Sequence, residues 1–194
     1  NPRNFDWKNT NKNTFFSPDK KIIPIWEEYL GAIRKKGLSV GAKIFVEAKN
    51  VPAGLGEPIY GKLDSDLASA MISINAVKGV EIGLGNDSVE ITGAENSDEL
   101  RVNKNKKIIF SSNNSGGILG GISSGQDIQL SVAIKPTSSI LKSQKTINDR
   151  FKNTTISTRG RHDPCVGIRA VPIVEAMTAC VLADHLMRNK AQCG

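Results

Sequence analysis

The stretch Ile128-Gln129-Leu130-Ser131-Val132-Ala133-Ile134 decides the fold class. Large apolar residues alternate along it with small or polar ones, the period-two pattern of a strand with one face on a core. It runs into Lys135-Pro136-Thr137-Ser138-Ser139, where proline and hydroxyls close the strand. Working outward, Ala42-Lys43-Ile44-Phe45-Val46-Glu47-Ala48 and Val77–Ile82 read as two further strands. Between them Leu67, Ala70, Met71 and Ile74 recur at helical spacing, giving an amphipathic helix from Leu63 to Ile74. Pro24 suits the first turn of an earlier helix carrying Ile25, Trp26, Tyr29, Leu30 and Ile33, and Gly37 ends it. The last element, Pro172 to about Leu186, is a helix apolar nearly all round, so burial on every side is expected. Helices mixed with antiparallel-looking strands indicate an α+β arrangement, not a doubly wound parallel sheet.

The remaining segments read as connections. Residues 1–20 are rich in Asn, Lys and Thr without periodicity and are expected to form an arm or loop, with 21–194 as the folded body. Residues 85–105 read as a polar excursion with weak strand character at Val89–Ile91, and a basic linker follows Ser139. No uninterrupted apolar run approaches the roughly 20 residues that span a bilayer, and no signal-peptide pattern opens the chain. The lack of an initial Met suggests a start inside a longer sequence.

Charge narrows the function. The net charge is +7, but residues 51–100 carry two basic against nine acidic side chains, while 101–160 carry ten against two. A nucleic-acid coat would not contain an acidic middle third, and an aromatic content of 5% gives few stacking platforms. Recognition of a small anion by gathered Lys and Arg fits better. Cys165, Cys180 and Cys193 lack metal-ligand spacing and read as free thiols of a reducing compartment, with no metal site.

Four motifs carry possible chemistry. Gly56–Leu63 nearly matches a Walker A loop but ends in Leu63, where a Mg²⁺-ligating Ser or Thr is needed. The glycine run 116–121 suits a tight turn, or a backbone lying against a flat ligand. Lys135–Ser139 offers a cation, hydroxyls and backbone donors, suitable for a phosphate or a flavin's polar edge. Gly160-Arg161-His162-Asp163-Pro164 packs a cation, an imidazole and a carboxylate together. Three consecutive side chains cannot all face one way, so this is not one preformed triad; one split sets Arg161 and Asp163 toward a site and His162 away from it, and a surface turn of paired charges is the competing reading. His185, on the last helix, is expected to be structural.

Taken together, these segments resemble chorismate synthase. The matching stretches are VPAGLGEP at Val51–Pro58, Met71–Gly83, Ser115–Gly125, Lys135–Ser139 and GRHDPCVGIRAVP at Gly160–Pro172, in a resemblance running from about Phe15 to the end. It implies the C-terminal half of a cytoplasmic homotetramer, with a β-α-β sandwich built from two related halves. The implied reaction is trans-1,4-elimination of phosphate from 5-enolpyruvylshikimate 3-phosphate to give chorismate, using reduced FMN without net redox change. By the same resemblance Asn75, Ala76, Gly120, Lys135, Pro136, Thr137, Ser138, Ser139 and Arg161 bind the cofactor. Asp163 is the catalytic residue, near flavin N5 and taking part in proton transfer. The family's catalytic histidines and several substrate-binding arginines belong to the other half, and neither His162 nor His185 replaces them. The alternative reading is a non-catalytic folded piece that retains only self-association.

Overall fold

A computed structural model describes residues 5–194, which form two compact units. One comprises the chain up to Ala42 together with Ile134–Val171; the other comprises Lys43–Ala133 and Pro172–Gly194.

The second unit is built on a three-stranded sheet of β1 (Ala42–Ala48), β2 (Val77–Ile82) and β7 (Ile128–Ile134), with β7 in the centre. The alternation seen in the sequence is realised: Ile128, Leu130, Val132 and Ile134 are buried, while Gln129, Ser131 and Ala133 are not. Helix α2 (Leu63–Ser73) packs on β2 through a face on which Leu63, Leu67 and Met71 are fully buried. Each such side chain contributes about 1.5–3 kcal/mol by leaving water. The two strands β5 (Ile118–Leu119) and β6 (Ile122–Ser123) form a tight hairpin around Gly120 and Gly121. Both of these glycines have positive φ, 61° and 85°, as a two-residue hairpin turn requires.

The polar excursion differs from expectation. Val89–Ile91 is no strand: Gly85–Glu90 is a 3-10 turn, followed by α3 (Gly93–Asn96) with a Thr92/Glu95 capping box. The strands lie further on, β3 (Leu100–Val102) antiparallel to β4 (Ile108–Phe110). Asp98 is 9% exposed and ties this excursion down, accepting from Ser112 Oγ at 2.6 Å and from the backbone N–H groups of Asn114 and Ser115 at 2.7 and 2.9 Å.

Helix α4 (Gly167–Cys193) begins five residues before Pro172, which the helix absorbs. It is not buried all round. Val174, Thr178 and His185 are buried, whereas Ile173 is 50% and Met187 64% exposed. Among the described residues nothing packs closely enough on that second face to bury it, so uniform apolarity here does not mean uniform burial. Taken as a helical window instead of an uninterrupted run, α4 is long and apolar enough by composition to cross a membrane. Its covered face nevertheless packs on the chain: buried His185 Nε2 lies 3.0 Å from Asp66 Oδ2 on α2. Arg188 pairs with Asp184 at 2.6 Å beside it.

In the first unit, helix α1 (Ile23–Lys35) carries Pro24 in its first turn. It ends as the glycine predicts, with the N–H groups of Gly37 and Leu38 donating to the carbonyls of Arg34 and Ile33. The expected arm begins with residues 1–4, which lie outside the described residues; from Phe5 onward it is held by hydrogen bonds of its own. Asn13 Oδ1 accepts from the backbone N–H groups of Phe15 and Ser17, and buried Asn9 donates to the Ser17 carbonyl at 3.0 Å. Phe15 meets Trp26 of α1 edge-on at 5.9 Å. The basic linker also contains structure: β8 (Gln144–Ile147) pairs antiparallel with β9 (Asn153–Ile156).

Candidate functional site

Three segments of the first unit converge on one cleft of about 440 Å³: the end of α1, residues 137–141 and residues 160–164. Hydrogen bonds fix their spacing. Ser39 Oγ donates to the Thr137 carbonyl at 2.6 Å, and Val40 N–H donates to the Pro164 carbonyl at 2.8 Å. The Thr158 N–H donates to the Ile140 carbonyl at 3.2 Å, binding the latter two segments together. Gly167 follows where α4 starts, and a Cβ there would stand 2.3 Å from the Ala42 Cβ, so only glycine permits this approach.

The lining is rich in donors. Arg34 and Arg161 contribute guanidinium groups, and neither has a carboxylate partner among the described residues. Asp163 is the one carboxylate of the lining, and it is paired: Arg169 Nε lies 2.8 Å from its Oδ2. The cleft therefore retains positive charge, the condition for holding an anion. Thr137 Oγ1 accepts from the Ser139 N–H at 3.3 Å, which orders the strand exit.

Of the residues singled out in the sequence, Thr137, Ser139, Arg161 and Asp163 line this cleft together. Lys135, Pro136 and Ser138 lie on the same segment, are exposed, and do not line it. The second unit carries the other three. Asn75 and Ala76 form the turn between α2 and β2, and Ala76 is held at φ 71°, a left-handed conformation that costs a non-glycine residue about 1–2 kcal/mol. Gly120 is exposed at its hairpin tip, with nothing within 4 Å of an added Cβ. An open backbone there suits a flat ligand, whereas a Cβ on its neighbour Gly121 would run into the Lys62 side chain.

Sequence reasoning missed Arg34, Ser39 and His162. Arg34 sits in a lysine-rich helix end, where composition gives no reason to separate it from its solvated neighbours. The split of three consecutive side chains sets His162 away from the site, but residues 160–164 are irregular and Gly160 has φ 141°, so the backbone imposes no such split. Arg161, His162 and Asp163 all line the cleft. Cys165, Cys180 and Cys193 are free thiols, and no group of three potential metal ligands occurs among the described residues.

Fold and cleft define an α+β protein with a donor-rich, positively charged cleft. The chain belongs to the chorismate synthase family, whose model matches residues 4–187. It is 64% identical over 183 residues to the chorismate synthase of Pelagibacter ubique, covering 94% of this chain and 51% of that protein. Identity is 58% to the chorismate synthase of Allorhizobium ampelinum, covering 98% and 52%. A crystal structure of chorismate synthase superimposes with a TM-score of 0.77 at 32% identity, over 94% of this chain and 47% of that one. The chain thus spans about half the length of the relatives it matches.

Proposed function

We propose that the protein carrying this chain converts 5-enolpyruvylshikimate 3-phosphate to chorismate by trans-1,4-elimination of phosphate, as a cytoplasmic homotetramer that uses reduced FMN and engages neither nucleic acid nor membrane. Family membership supports the reading, and one observation carries it to the residue level: Thr137 and Ser139 share a cleft with Arg161 and Asp163. Free thiols suit a reducing compartment. When bound, reduced FMN supplies an electron-rich ring beside the substrate as phosphate departs.

The residues present fit such a group. A phosphate-bearing ligand needs cations and oriented donors, and Arg34, Arg161 and the hydroxyls of Thr137 and Ser139 provide them. In this reading Lys135, Pro136, Thr137, Ser138, Ser139 and Arg161 would hold the cofactor's polar parts, and the family resemblance assigns Asn75, Ala76 and Gly120 to cofactor binding as well. Asp163, oriented by Arg169, handles the proton removed from substrate. Charge-assisted donors held in advance stabilise a departing phosphate without reorganising during the reaction.

An anaerobic assay with chemically reduced FMN tests the reading. The intact protein is expected to release chorismate and phosphate. This chain alone is expected to turn over far more slowly, because general acid–base groups outside it contribute about 10²–10⁴-fold each. An intact protein that self-associates but binds no FMN and forms no chorismate would overturn the reading in favour of the self-association alternative.

A further inference from the structure

We propose that His162 is a ligand-contacting residue of the cleft, its Nε2 hydrogen-bonding a phosphate oxygen of the bound anion. The inference rests on the reading above and adds a contact that no feature of the sequence indicates. The motivating observation is an unpaired group: His162 lines the cleft, and its Nε2 is buried with no hydrogen-bond partner among the described residues. Leaving a buried polar atom unpaired costs about 1–3 kcal/mol, so such atoms are rare unless a ligand completes them. Two of the polar groups around it are already engaged. Asp163, the adjacent carboxylate, is engaged by Arg169 at 2.8 Å, and the Ser39 hydroxyl is committed to the Thr137 carbonyl at 2.6 Å.

The surroundings fix the chemistry of the partner. Arg34 and Arg161 line the same cleft without carboxylate partners among the described residues, so a ligand there must be rich in acceptors and negative. An imidazole beside two guanidinium groups then donates through Nε2. A phosphate monoester meets this requirement, and in the proposed reaction it can come from FMN or from the substrate.

The two sources and the role itself are separated by substituting His162→Phe and His162→Gln in the intact protein. FMN and 5-enolpyruvylshikimate 3-phosphate are titrated calorimetrically, and unfolding of the ligand-free protein is followed thermally. Phe keeps the ring's bulk and removes the unpaired nitrogen, so the ligand-free protein should unfold at the same or a higher temperature. The same variant should bind one of the two ligands about 10–100-fold more weakly, as expected for a lost hydrogen bond to a charged group. Weakened FMN binding assigns the cofactor's phosphate, and weakened substrate binding alone assigns the substrate's. Gln carries an amide donor at similar reach and should recover much of the affinity. The proposal is overturned if both affinities survive His162→Phe, or if that variant lowers the ligand-free unfolding temperature, which would reveal an internal partner for Nε2. Absence of FMN binding to the unsubstituted protein would instead overturn the functional reading, and this contact with it.

Discussion

Replacing Asp98 by Asn should open the strap at residues 112–115, by an amount the geometry allows to be worked out. One carboxylate oxygen accepts from Ser112 Oγ and the Asn114 N–H, and the other accepts from the Ser115 N–H. Asn can reproduce only one of these oxygens. If its carbonyl serves Ser112 and Asn114, its amide nitrogen faces the Ser115 N–H, donor against donor. An unpaired buried donor costs about 1–3 kcal/mol, and the two surviving bonds lose their charge assistance, for a total of about 2–4 kcal/mol. At tenfold per 1.4 kcal/mol, hydrogen exchange at the Asn114 and Ser115 amides should accelerate about 30–1,000-fold. The pH dependence follows from the same contacts. Burial raises the Asp98 carboxyl, but the hydrogen bonds from Ser112, Ser115 and Asn114 outweigh it and hold the group below its ordinary value. A lowered folded-state pKa means that the stabilisation is fully present above the unfolded value of about 3.9, and is lost as pH falls through the folded value. The difference between the native protein and the Asp98→Asn variant should therefore be largest at neutral pH and shrink in acid. Exchange at these amides that changes less than about fivefold at neutral pH would refute the reasoning, as would a difference that persists undiminished in acid.

Two further outcomes follow. Asp163→Asn in the intact protein should slow turnover about 10²–10⁴-fold while leaving FMN affinity within a few-fold, if the carboxylate handles a proton. If it serves only its ion pair with the exposed Arg169, a contact worth about 0–1 kcal/mol, the loss should stay below about tenfold and fade with salt; single-turnover spectroscopy with parallel binding decides. Phe151→Gly should leave stability unchanged or raise it by up to about 1 kcal/mol, because Phe151 is held at φ 57° and is 90% exposed, so little burial is lost. Thermal unfolding checks this, and a clear destabilisation would mean that the ring makes a stabilising contact.

The core was legible because burial leaves a period. β1, β2 and β7 fall where alternation or apolar runs put them, and α2 buries Leu63, Leu67 and Met71 at helical spacing. The two hairpins were not legible because their strands face water on both sides; every residue of β8 and β9 is exposed. Their turns follow a rule that the sequence obscures. Asn103 Oδ1 accepts from the N–H groups of Asn105 and Lys107, and Asn148 Oδ1 accepts from Arg150 and Lys152. The fourth residue of each turn is left-handed, where glycine would have signalled a hairpin, yet Lys106 and Phe151 occupy the positions. A propensity reading sees a lysine and a phenylalanine there and no turn.

The site was legible in a different way. Its residues were found through segments whose order and identity match a family, and that route reaches only residues already known by their motif. Arg34 stands outside such a motif, and His162 stands inside one but is set aside when three consecutive side chains are split between two directions. What brings them in is charge and hydrogen-bond accounting across the cleft. Arg169 pairs with Asp163, which removes the only carboxylate of the lining as a partner for anything else. Two guanidinium groups and an unpaired imidazole nitrogen then face a common space. That combination is electrostatically unfavourable by itself and would be relieved by a negative, acceptor-rich ligand, as the proposed function requires. The surface-turn reading accounts for the Asp163–Arg169 pair, whereas the two guanidinium groups of the lining, neither of which meets a carboxylate there, are what the proposed binding role accounts for.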